Sequence, residues 1–462
     1  MTALFLFVAA VYVLSAAGYL DTIDADPSLD AAKALLDRGS FRFFPDRIDS
    51  RIHTRAKDNG CFSKLGLAMP FLYIPAVILG RGAAKLLGRK AETIVRFLVS
   101  LVNSILTAAN IALLYFFFLE TGSSPEVARA IALTTAFATL LFPYAKTDHR
   151  EALQGLSLTG TLVFAALGLQ IAEGHYFFLS GLSAGIGLLT KLAMIVPLLP
   201  AIGFASFLCA RVSVALLPYL LLPIGIAGMA WLIFAKNAYG SFFETGYSEG
   251  VNRLRGPVWP TPFFRGLHIQ LFSLESGLFF YSPILLIPVR AFIEKMWYGN
   301  LSALDMVIFL VFILRAALYA RWKTPNGHEC LGPRYLVATI PLLAMLLNGA
   351  PLPATVVWLP LLAWSAVLQV VHVAVKAQQY CTMREFSPGE RGLPHWIANL
   401  KIFAHKLAGK EECYRLRDFG FSCDTKIDLS PYRSLIGFNI WWMHGLRACW
   451  DSLRHQRRRK KG

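Results

Sequence analysis

Four aspartates fall within ten residues directly after the first apolar segment of the chain. They are Asp21, Asp24, Asp26 and Asp30, in the stretch Gly18–Gly39. A carboxylate at the end of a membrane segment can serve as a general base, although a solvated loop would carry the same charges without any chemistry. Because the chain has only 28 acidic residues against 45 basic ones, such a cluster is unusual. We take this stretch as the first candidate for chemistry.

A second charged cluster, YAKTDHRE, lies at Tyr144–Glu151 between two apolar segments. Charges so close to a membrane segment are costly unless they are paired, hydrated or functional. An ordinary interfacial loop would instead extend its charged ends into water. The high density and mixed signs favour a functional loop, whose charged members are Lys146, Asp148, His149, Arg150 and Glu151.

A third cluster, HECLGPRY, spans 328–335 and opens another apolar segment. It contains Glu329, Arg334 and Tyr335. The planar fork of an arginine suits a phosphate, which accepts two hydrogen bonds from it. An arginine that only anchors the segment at the membrane interface is the alternative interpretation.

Two further stretches are weaker candidates. Lys64, in NGCFSKLGLAMP, precedes an apolar segment and would most simply be an anchoring lysine. Glu244 lies in the aromatic-rich stretch YGSFFETGY, at 239–247. Such aromatic residues form a belt at the membrane interface, or they line a groove for a sugar or a prenyl chain.

The composition places these clusters in a membrane protein. The 462 residues are 56% hydrophobic and 16% charged, with a mean hydropathy of +0.52, whereas soluble domains are about one quarter charged. Lipid cannot satisfy free backbone groups, so helices or closed barrels are required, and the alternation of a barrel is missing. We predict an all-α transmembrane bundle of about 12–13 spans of roughly 20 residues each. The net charge of +17 is concentrated where membrane anchors lie, so it does not indicate a nucleic-acid partner.

The apolar segments divide the chain into three parts. We predict a transmembrane core at 1–375 with a long outer loop at 21–64, an extracytoplasmic polar segment at 376–432, and a last apolar helix with a basic cytoplasmic tail at 433–462. The long apolar segment 176–208 is predicted to break at Thr190-Lys191. Seven cysteines form no CxxC pair, and Cys413 and Cys423 could form a disulfide if their segment is extracytoplasmic.

The membrane sides predicted for the individual loops agree with one another, except for the loop 144–151. The short basic loops 83–93 and 209–212 are expected in the cytoplasm, and the long loops then share the outer face with the aspartates. However, three apolar segments separate 21–64 from 144–151, which would place these two loops on opposite sides. Counting backward from Arg211 places 144–151 outside. One segment between 65 and 208 is therefore expected not to cross fully.

Taken in order, these stretches resemble the polytopic GT-C glycosyltransferases, in the bacterial and archaeal branch related to protein mannosyltransferases and aminoarabinose transferases. Asp24 and Gly39 match the family's spacing between an acidic residue and a glycine. The resemblance covers about residues 1–350, and the matching phrases are FSKLGLAMPFLYIP, PYAKTDHREA, YGSFFETGY, GLFFYSPILL and GPRYLVATIP.

The resemblance implies an inverting transfer of a sugar from a polyprenyl-phosphate donor to a lipid, glycan or protein acceptor. The reaction would take place on the extracytoplasmic face of a multi-pass protein, as in a bacterial inner membrane. The implied general base is Asp24, with Asp26 as the neighbouring candidate, and the second-loop acid is Glu151 or Asp148. The implied phosphate-binding residues are Lys64, Lys146 and Arg334, and the further pocket candidates are His149, Arg150, Glu329, Tyr335 and Glu244.

No cofactor is required by this mechanism, but two branches of the family hold a divalent cation between acids of the first and second loops. The residues that could supply such ligands here are Asp24, Asp26, Asp148 and His149, and we assign no metal ligand. The phrase HEC before GPR replaces a tryptophan-rich phrase of the family, which suggests a different acceptor or sugar. A transporter or flippase of a lipid-linked saccharide is the alternative function. The lack of an internal repeat and the position of the charges at segment ends favour the enzyme over that alternative.

Overall fold

A computed structural model describes residues 1–20, 22, 24–45, 53–55, 60–243, 259–327, 330–351, 354–375, 395–407 and 440–443. The described residues are overwhelmingly helical, which confirms the all-α class. The helices are α1 Thr2–Ser15, α2 Ala25–Arg38, α3 Ala68–Leu87, α4 Ala91–Ser100, α5 Val102–Glu120, α6 Pro125–Phe137, α7 Leu141–Ala145, α8 Glu151–Ile171, α9 Gly174–Thr190, α10 Ile195–Val212, α11 Leu217–Tyr239, α12 Phe263–Leu271, α13 Leu278–Tyr281, α14 Leu286–Trp297, α15 Ala303–Ala320, α16 Ile340–Met345, α17 Thr355–Ala374 and α18 His395–Leu407.

Short 3-10 turns connect several of these helices. They are Leu192–Met194, Val214–Leu216, Pro283–Leu285 and Arg334–Thr339. The two described strands, β1 His53–Arg55 and β2 Cys61–Ser63, pair antiparallel with Thr54 opposite Phe62. Phe43 bridges to Cys61 on the same small sheet. This sheet lies in the loop between α2 and α3 and delivers the chain to Lys64.

Seven helical stretches among the described residues are long and apolar enough to cross a membrane. They are Ala68–Leu87, Ala91–Glu120, Glu151–Ile171, Leu192–Val212, Val214–Tyr239, Ala303–Ala320 and Thr355–Ala374. The stretches Thr2–Ser15 and Arg334–Met345 are apolar but shorter. The bundle is therefore that of a multi-pass membrane protein.

Some apolar segments of the sequence are interrupted in the structure. The break expected at Thr190-Lys191 is confirmed, because α9 ends at Thr190 and Lys191 has an extended backbone with φ −168°. The segment 271–293 is divided among α12, α13, a 3-10 turn and α14. The segment 335–350 begins as the 3-10 helix Arg334–Thr339 and continues as α16. The resulting helical stretch Arg334–Met345 is mostly buried and is shorter than the roughly 20 residues that a span needs.

The centre of the bundle is α8, which is buried along nearly its whole length. It packs against α9, α5 and α10. Its first residue is Glu151, so the second charged cluster of the sequence lies at the point where the most buried helix begins. The position of α8 along the bundle therefore determines where that cluster lies.

The end of α1 is capped by residues from the far end of the sequence. The Trp441 amide donates to the Ala16 carbonyl at 2.9 Å, and its indole Nε1 donates to the Val13 carbonyl at 2.8 Å. The Trp442 indole donates to the Leu14 carbonyl, also at 2.8 Å. The bonds to Leu14 and Ala16 satisfy carbonyl groups that the last turn of a helix leaves without partners, and the Val13 carbonyl also accepts from the Ala16 amide at 3.2 Å. Apart from 395–407 and 440–443, the predicted polar segment and last helix lie outside the described residues.

Candidate functional site

Arg334 joins two carboxylates that come from distant parts of the chain. Its Nη2 donates to Oδ2 of Asp24 at 2.6 Å, and its Nε donates to Oε1 of Glu151 at 2.9 Å. Only 14% of the Arg334 side chain is exposed. The three charged clusters of the sequence therefore contribute one residue each to a single ion-pair network, called the Asp24–Arg334–Glu151 cluster below.

Asp24 lies at the N-terminal end of α2, and two basic side chains approach it besides Arg334. Nη2 of Arg150 is 3.5 Å from its Oδ2, and Nδ1 of His149 is 3.9 Å from the same atom. Burial alone would raise the pKa of Asp24, but the charges of Arg334 and Arg150 outweigh it and hold the pKa well below its ordinary value. Asp24 is therefore ionised at neutral pH.

Glu151 has one oxygen engaged and one oxygen unused. Its Oε1 accepts from Arg334, whereas Oε2 is buried and has no hydrogen-bond partner among the described residues. Nδ1 of His149 and Nε of Arg150 are also buried and have no hydrogen-bond partner among the described residues. Because buried polar atoms are almost always hydrogen-bonded, three such atoms in one cluster point to a place where a ligand binds.

His149 lies between Asp24 and the third charged cluster. Its Nε2 is 3.5 Å from Sγ of Cys330, and its ring leans against that of Tyr144. Burial and the nearby charge of Arg334 lower the pKa of His149 to about 4. Burial also raises the pKa of the Cys330 thiol to about 12. At neutral pH the pair is thus a neutral imidazole beside a neutral thiol.

The loop that carries His149 is held by two polar residues of α5. Nδ2 of Asn103 donates to the carbonyls of Thr147 at 2.6 Å and of His149 at 2.5 Å. Oγ of Ser104 donates to the Ala145 carbonyl at 2.9 Å. Sequence reasoning did not single out Asn103 or Ser104, although both interrupt an otherwise apolar segment.

The remaining charges of this loop make contacts of their own. Oδ2 of Asp148 accepts from the Thr22 amide at 3.3 Å, which ties the loop to the segment before Asp24. Nζ of Lys146 donates to the Val373 carbonyl at 2.6 Å, at the end of α17. Lys146 thus anchors the C-terminal end of that helix, where a cation also complements the helix dipole.

Lys64 is buried, and the chain beside it touches the cluster. Nη1 of Arg150 donates to the carbonyl of Leu65 at 3.0 Å. The next residue, Gly66, has φ +83°, and a Cβ there would lie 2.3 Å from the Thr190 carbonyl oxygen. Only glycine combines this backbone conformation with so close an approach, so Gly66 lets the Lys64 loop pack against the end of α9.

Asp26, the neighbouring candidate for the base, points elsewhere. It is half-exposed and pairs with Arg96 of α4 at 2.8 Å. The four residues considered as metal ligands consequently do not gather into one set, and no group of three or more suitable side chains occurs among the described residues. Glu329 and Glu244 lie outside the described residues.

Tyr335 belongs to a second layer beneath the cluster. Its ring stacks on Tyr319, with ring centres 3.9 Å apart, and Nζ of Lys191 lies 5.3 Å from the centre of the Tyr335 ring. Arg315 is fully buried in α15, donates to the Tyr335 carbonyl, and donates to Oε1 of Gln154 at 2.5 Å. In the sequence, Arg315 is a charge inside an apolar segment, and Lys191 marks the break between two helices. Neither residue was predicted as part of the site.

Comparisons with known proteins bear on the fold. No protein-family model matches the chain, and a search of curated proteins gives no match. The chain is similar in structure to ArnT from Cupriavidus metallidurans, in a crystal structure with bound undecaprenyl phosphate. The two share 14% sequence identity with a TM-score of 0.50, over 89% of this chain and 72% of ArnT.

The chain also matches an oligosaccharyltransferase from Archaeoglobus fulgidus tethered to an acceptor peptide. That match has 12% identity and a TM-score of 0.45, over 92% of this chain and 60% of the other. ArnT is an aminoarabinose transferase of the GT-C class. Structural similarity at this level of sequence identity is evidence for the fold alone. The chain therefore has the GT-C fold that its sequence phrases resemble.

Proposed function

We propose that the protein is a membrane glycosyltransferase, which moves a sugar from a polyprenyl-phosphate donor to an acceptor hydroxyl with inversion at the anomeric carbon. The observation that carries the proposal is the Asp24–Arg334–Glu151 cluster, a buried network with unused polar atoms beside it. Undecaprenyl phosphate bound to ArnT, whose fold the chain shares, supports a lipid phosphate as part of the donor.

Arg334 and Arg150 are the proposed partners of the donor phosphate. Both guanidinium groups lie within 3.5 Å of the same Asp24 oxygen, so their charges converge on one point. A pair of forked donors suits an oxyanion and stabilises the negative charge that the leaving phosphate gains as its bond to the sugar breaks. Lys64 is proposed as a further cation for the phosphate, because it is buried and the carbonyl of the next residue, Leu65, accepts from Arg150. Lys146 holds the end of α17 and so acts on the site indirectly.

Asp24 is the proposed general base. The acceptor oxygen attacks the anomeric carbon and its proton passes to the Asp24 carboxylate, while the bond from carbon to phosphate oxygen breaks and the polyprenyl phosphate leaves with the electron pair. A carboxylate paired with two arginines is a weak base. The donor phosphate would compete with Asp24 for those arginines, and its negative charge would then raise the pKa of Asp24 when the donor is in place.

Glu151 is the proposed residue that orients the acceptor, because its buried Oε2 is unused and can accept a hydrogen bond from a hydroxyl. Asp148 serves the same loop by holding the Thr22 amide. The acceptor would be a lipid, glycan or protein, reached from the extracytoplasmic face of a bacterial inner membrane. No step of this scheme is assigned to a metal ion.

The proposal is tested with full-length protein in lipid nanodiscs and a panel of radiolabelled undecaprenyl-phosphate-linked hexoses and pentoses, with cell-envelope extract as the acceptor source. We expect one donor to transfer its sugar, and Asp24→Asn to slow the transfer by about 10²–10⁴-fold. Asp26→Asn is the matched control, because Asp26 is two residues away and pairs with Arg96 instead. Full activity of Asp24→Asn, or no transfer from any donor, would show the proposal to be wrong.

A further inference from the structure

A polar cavity of about 390 Å³ lies between α14, the start of α15 and the turn that follows α16. Its lining includes both charged and amide side chains, which are Arg290, Glu294, Lys295, Asp305 and Asn348. The reaction proposed above uses none of these residues. A cavity of this size can hold a small polar molecule or the headgroup of a lipid.

The cavity lies at the opposite end of the bundle from the Asp24–Arg334–Glu151 cluster. Asn348 accepts a hydrogen bond from Oγ1 of Thr121 at 2.9 Å, and Thr121 directly follows α5. Helix α5 starts beside the cluster, where Asn103 holds the His149 loop, and its length is about 28 Å. The hydrocarbon layer is about as thick. The cavity therefore lies at the membrane interface on the side away from the cluster.

An apolar groove of about 130 Å³ adjoins this cavity and is lined by α6, α14, α16 and α17. Ile287 lines the groove and Ala291 lines the cavity, four residues apart on one face of α14. In the same way, Leu347 lines the groove and Asn348 lines the cavity. Because α14 runs toward the interface, the groove lies deeper in the membrane than the cavity. A polar recess at the interface with an apolar groove beneath it matches the headgroup and acyl chain of a phospholipid.

The outer face of α14 carries one arginine among exposed apolar side chains. The spacing places Leu286, Arg290, Ile293 and Trp297 in one row of the helix, and all four are exposed. Trp297 is 83% exposed at the end of α14, as expected of a tryptophan at the membrane interface. Arg290 precedes it by about 10 Å. A guanidinium at that depth is costly in lipid unless it reaches a headgroup or another polar partner.

The two ion pairs of the cavity differ in exposure. Nζ of Lys295 donates to Oδ1 of Asp305 at 2.9 Å, and both side chains are largely buried, so this pair fixes the start of α15 against α14. Nη2 of Arg290 donates to Oε1 of Glu294 at 2.6 Å, and these side chains are 44% and 33% exposed. A guanidinium has five N–H donors and a carboxylate has several lone pairs. Arg290 and Glu294 can therefore bind a ligand while they remain paired.

We propose that the cavity and the groove together bind one molecule of phosphatidylethanolamine from the leaflet opposite the Asp24–Arg334–Glu151 cluster. The phosphate accepts hydrogen bonds from Arg290, the ammonium group donates to Glu294, and one acyl chain lies in the groove. The inference uses no residue of the proposed active site and is independent of the proposed reaction.

The charges of the cavity favour this headgroup over the other common ones. Two cations and two carboxylates line the cavity, so a zwitterionic headgroup adds no net charge to it. An anionic headgroup would bring an unmatched negative charge close to Glu294. A choline headgroup is zwitterionic, but its quaternary nitrogen has no N–H to donate, whereas the ammonium group of ethanolamine forms a charge-assisted hydrogen bond with a carboxylate.

Binding is tested by native mass spectrometry of the full-length protein in detergent, with an equimolar mixture of phosphatidylethanolamine, phosphatidylcholine and phosphatidylglycerol that have identical acyl chains. We expect one retained phosphatidylethanolamine per chain. Arg290→Gln should weaken its retention about tenfold or more, because a charged hydrogen bond to the phosphate is lost. Glu294→Gln should remove the preference over phosphatidylcholine. Equal retention of the three lipids by the wild type would overturn the proposal.

Arg211→Gln is the matched control for Arg290→Gln. Arg211 is an exposed arginine at the end of α10, outside the cavity, so its replacement should leave retention unchanged. The same loss in both variants would contradict the proposal. Thermal unfolding in detergent without added lipid should be nearly the same for Arg290→Gln and the wild type, which separates lost binding from lost folding.

The groove is tested at Ala130, an exposed residue of α6 that lines it. Ala130→Phe should fill the groove and abolish the retention of phosphatidylethanolamine, whereas Ala130→Ser should leave the groove open and keep the lipid. An excess of undecaprenyl phosphate should not displace the lipid, because the proposed donor site is at the other end of the bundle. Retention by Ala130→Phe, or displacement by undecaprenyl phosphate, would show the proposal to be wrong.

Discussion

Nη2 of Arg334 lies 2.6 Å from Oδ2 of Asp24, although 310 positions of sequence separate the two residues. The same guanidinium reaches Glu151 through Nε. One cation therefore keeps two buried carboxylates close together, and the consequences of removing it can be measured.

Replacing Arg334 by methionine should destabilise the protein strongly. The change leaves Asp24 and Glu151 as neighbouring buried charges with reduced compensation, which typically costs about 3–5 kcal/mol. Arg334→Lys keeps the charge but loses the fork, so it should cost less stability while weakening undecaprenyl phosphate binding on the order of tenfold or more. Thermal unfolding in detergent and a lipid-binding assay measure the two effects.

Arg290→Met is the control for this experiment. Arg290 also pairs with a glutamate, Glu294, but the pair is partly exposed and lies within one helix. Its loss should change the free energy of unfolding by about 0.5 kcal/mol or less. An equal effect of the two methionine variants would contradict the role given to Arg334.

His149 should make stability depend on pH. Its pKa in the folded protein is about 4, below the ordinary value of 6.5, so the unfolded chain binds the proton more readily. The stability associated with the neutral ring is complete above pH 6.5 and is lost as the pH falls toward 4, by roughly 1.4 kcal/mol per pH unit. His149→Gln should flatten this dependence in unfolding experiments between pH 7 and 5.

The exposed His175, beside Glu173, provides a matched control for the pH experiment. His175→Gln should retain the wild-type slope. If the pH dependence of the unfolding free energy persisted in His149→Gln but disappeared in His175→Gln, the burial of His149 could not be the cause of that dependence.

Gly66→Ala should both destabilise the protein and slow any reaction at the site. The added Cβ would lie 2.3 Å from the Thr190 carbonyl oxygen, in addition to the strain of φ +83°. Gly39→Ala isolates the strain, because Gly39 has φ +64° and open space around it. We expect about 1–2 kcal/mol for Gly39→Ala and a larger loss for Gly66→Ala, measured as unfolding free energies. Similar losses would mean that the Lys64 loop can move away from α9 without cost.

Arg315 and Gln154 should be coupled. Arg315→Met leaves the Gln154 amide without its donor, and Gln154→Leu leaves the guanidinium without its acceptor. The double variant removes both partners, so its loss of stability should be smaller than the sum by about 0.5–3 kcal/mol. Additive losses in a double-mutant cycle would show that the bond contributes little.

The charged clusters could be found from the sequence because charges beside apolar segments are conspicuous. Asp24, Glu151 and Arg334 were each singled out in this way, and the structure brings all three together. Their mutual distances could not be predicted, since they depend on how α2, α8 and the 3-10 turn Arg334–Thr339 pack. The same packing turns Asp26 toward Arg96, which no spacing along the chain indicates.

Helix breaks were less predictable than helices. Averaged hydropathy finds the apolar stretch 271–293 but not the turn after Leu271 that divides it. The break at Lys191 was visible because a lysine interrupts an apolar run. The polar residues Asn103 and Ser104 were visible too, but their function depends on the loop that folds over them.

The cap on α1 has a consequence for how the protein is made. The carbonyls of Leu14 and Ala16 accept hydrogen bonds from Trp442 and Trp441, and Trp441 gives the Val13 carbonyl a second one. A ribosome must therefore synthesise the chain as far as Trp442 before the end of the first helix, eight residues before Asp24, acquires these partners. A chain that stops before Trp441 would contain the three charged clusters but would lack the hydrogen bonds that hold the end of α1, next to the first cluster. The site can therefore be completed only after Trp441 and Trp442 have been synthesised.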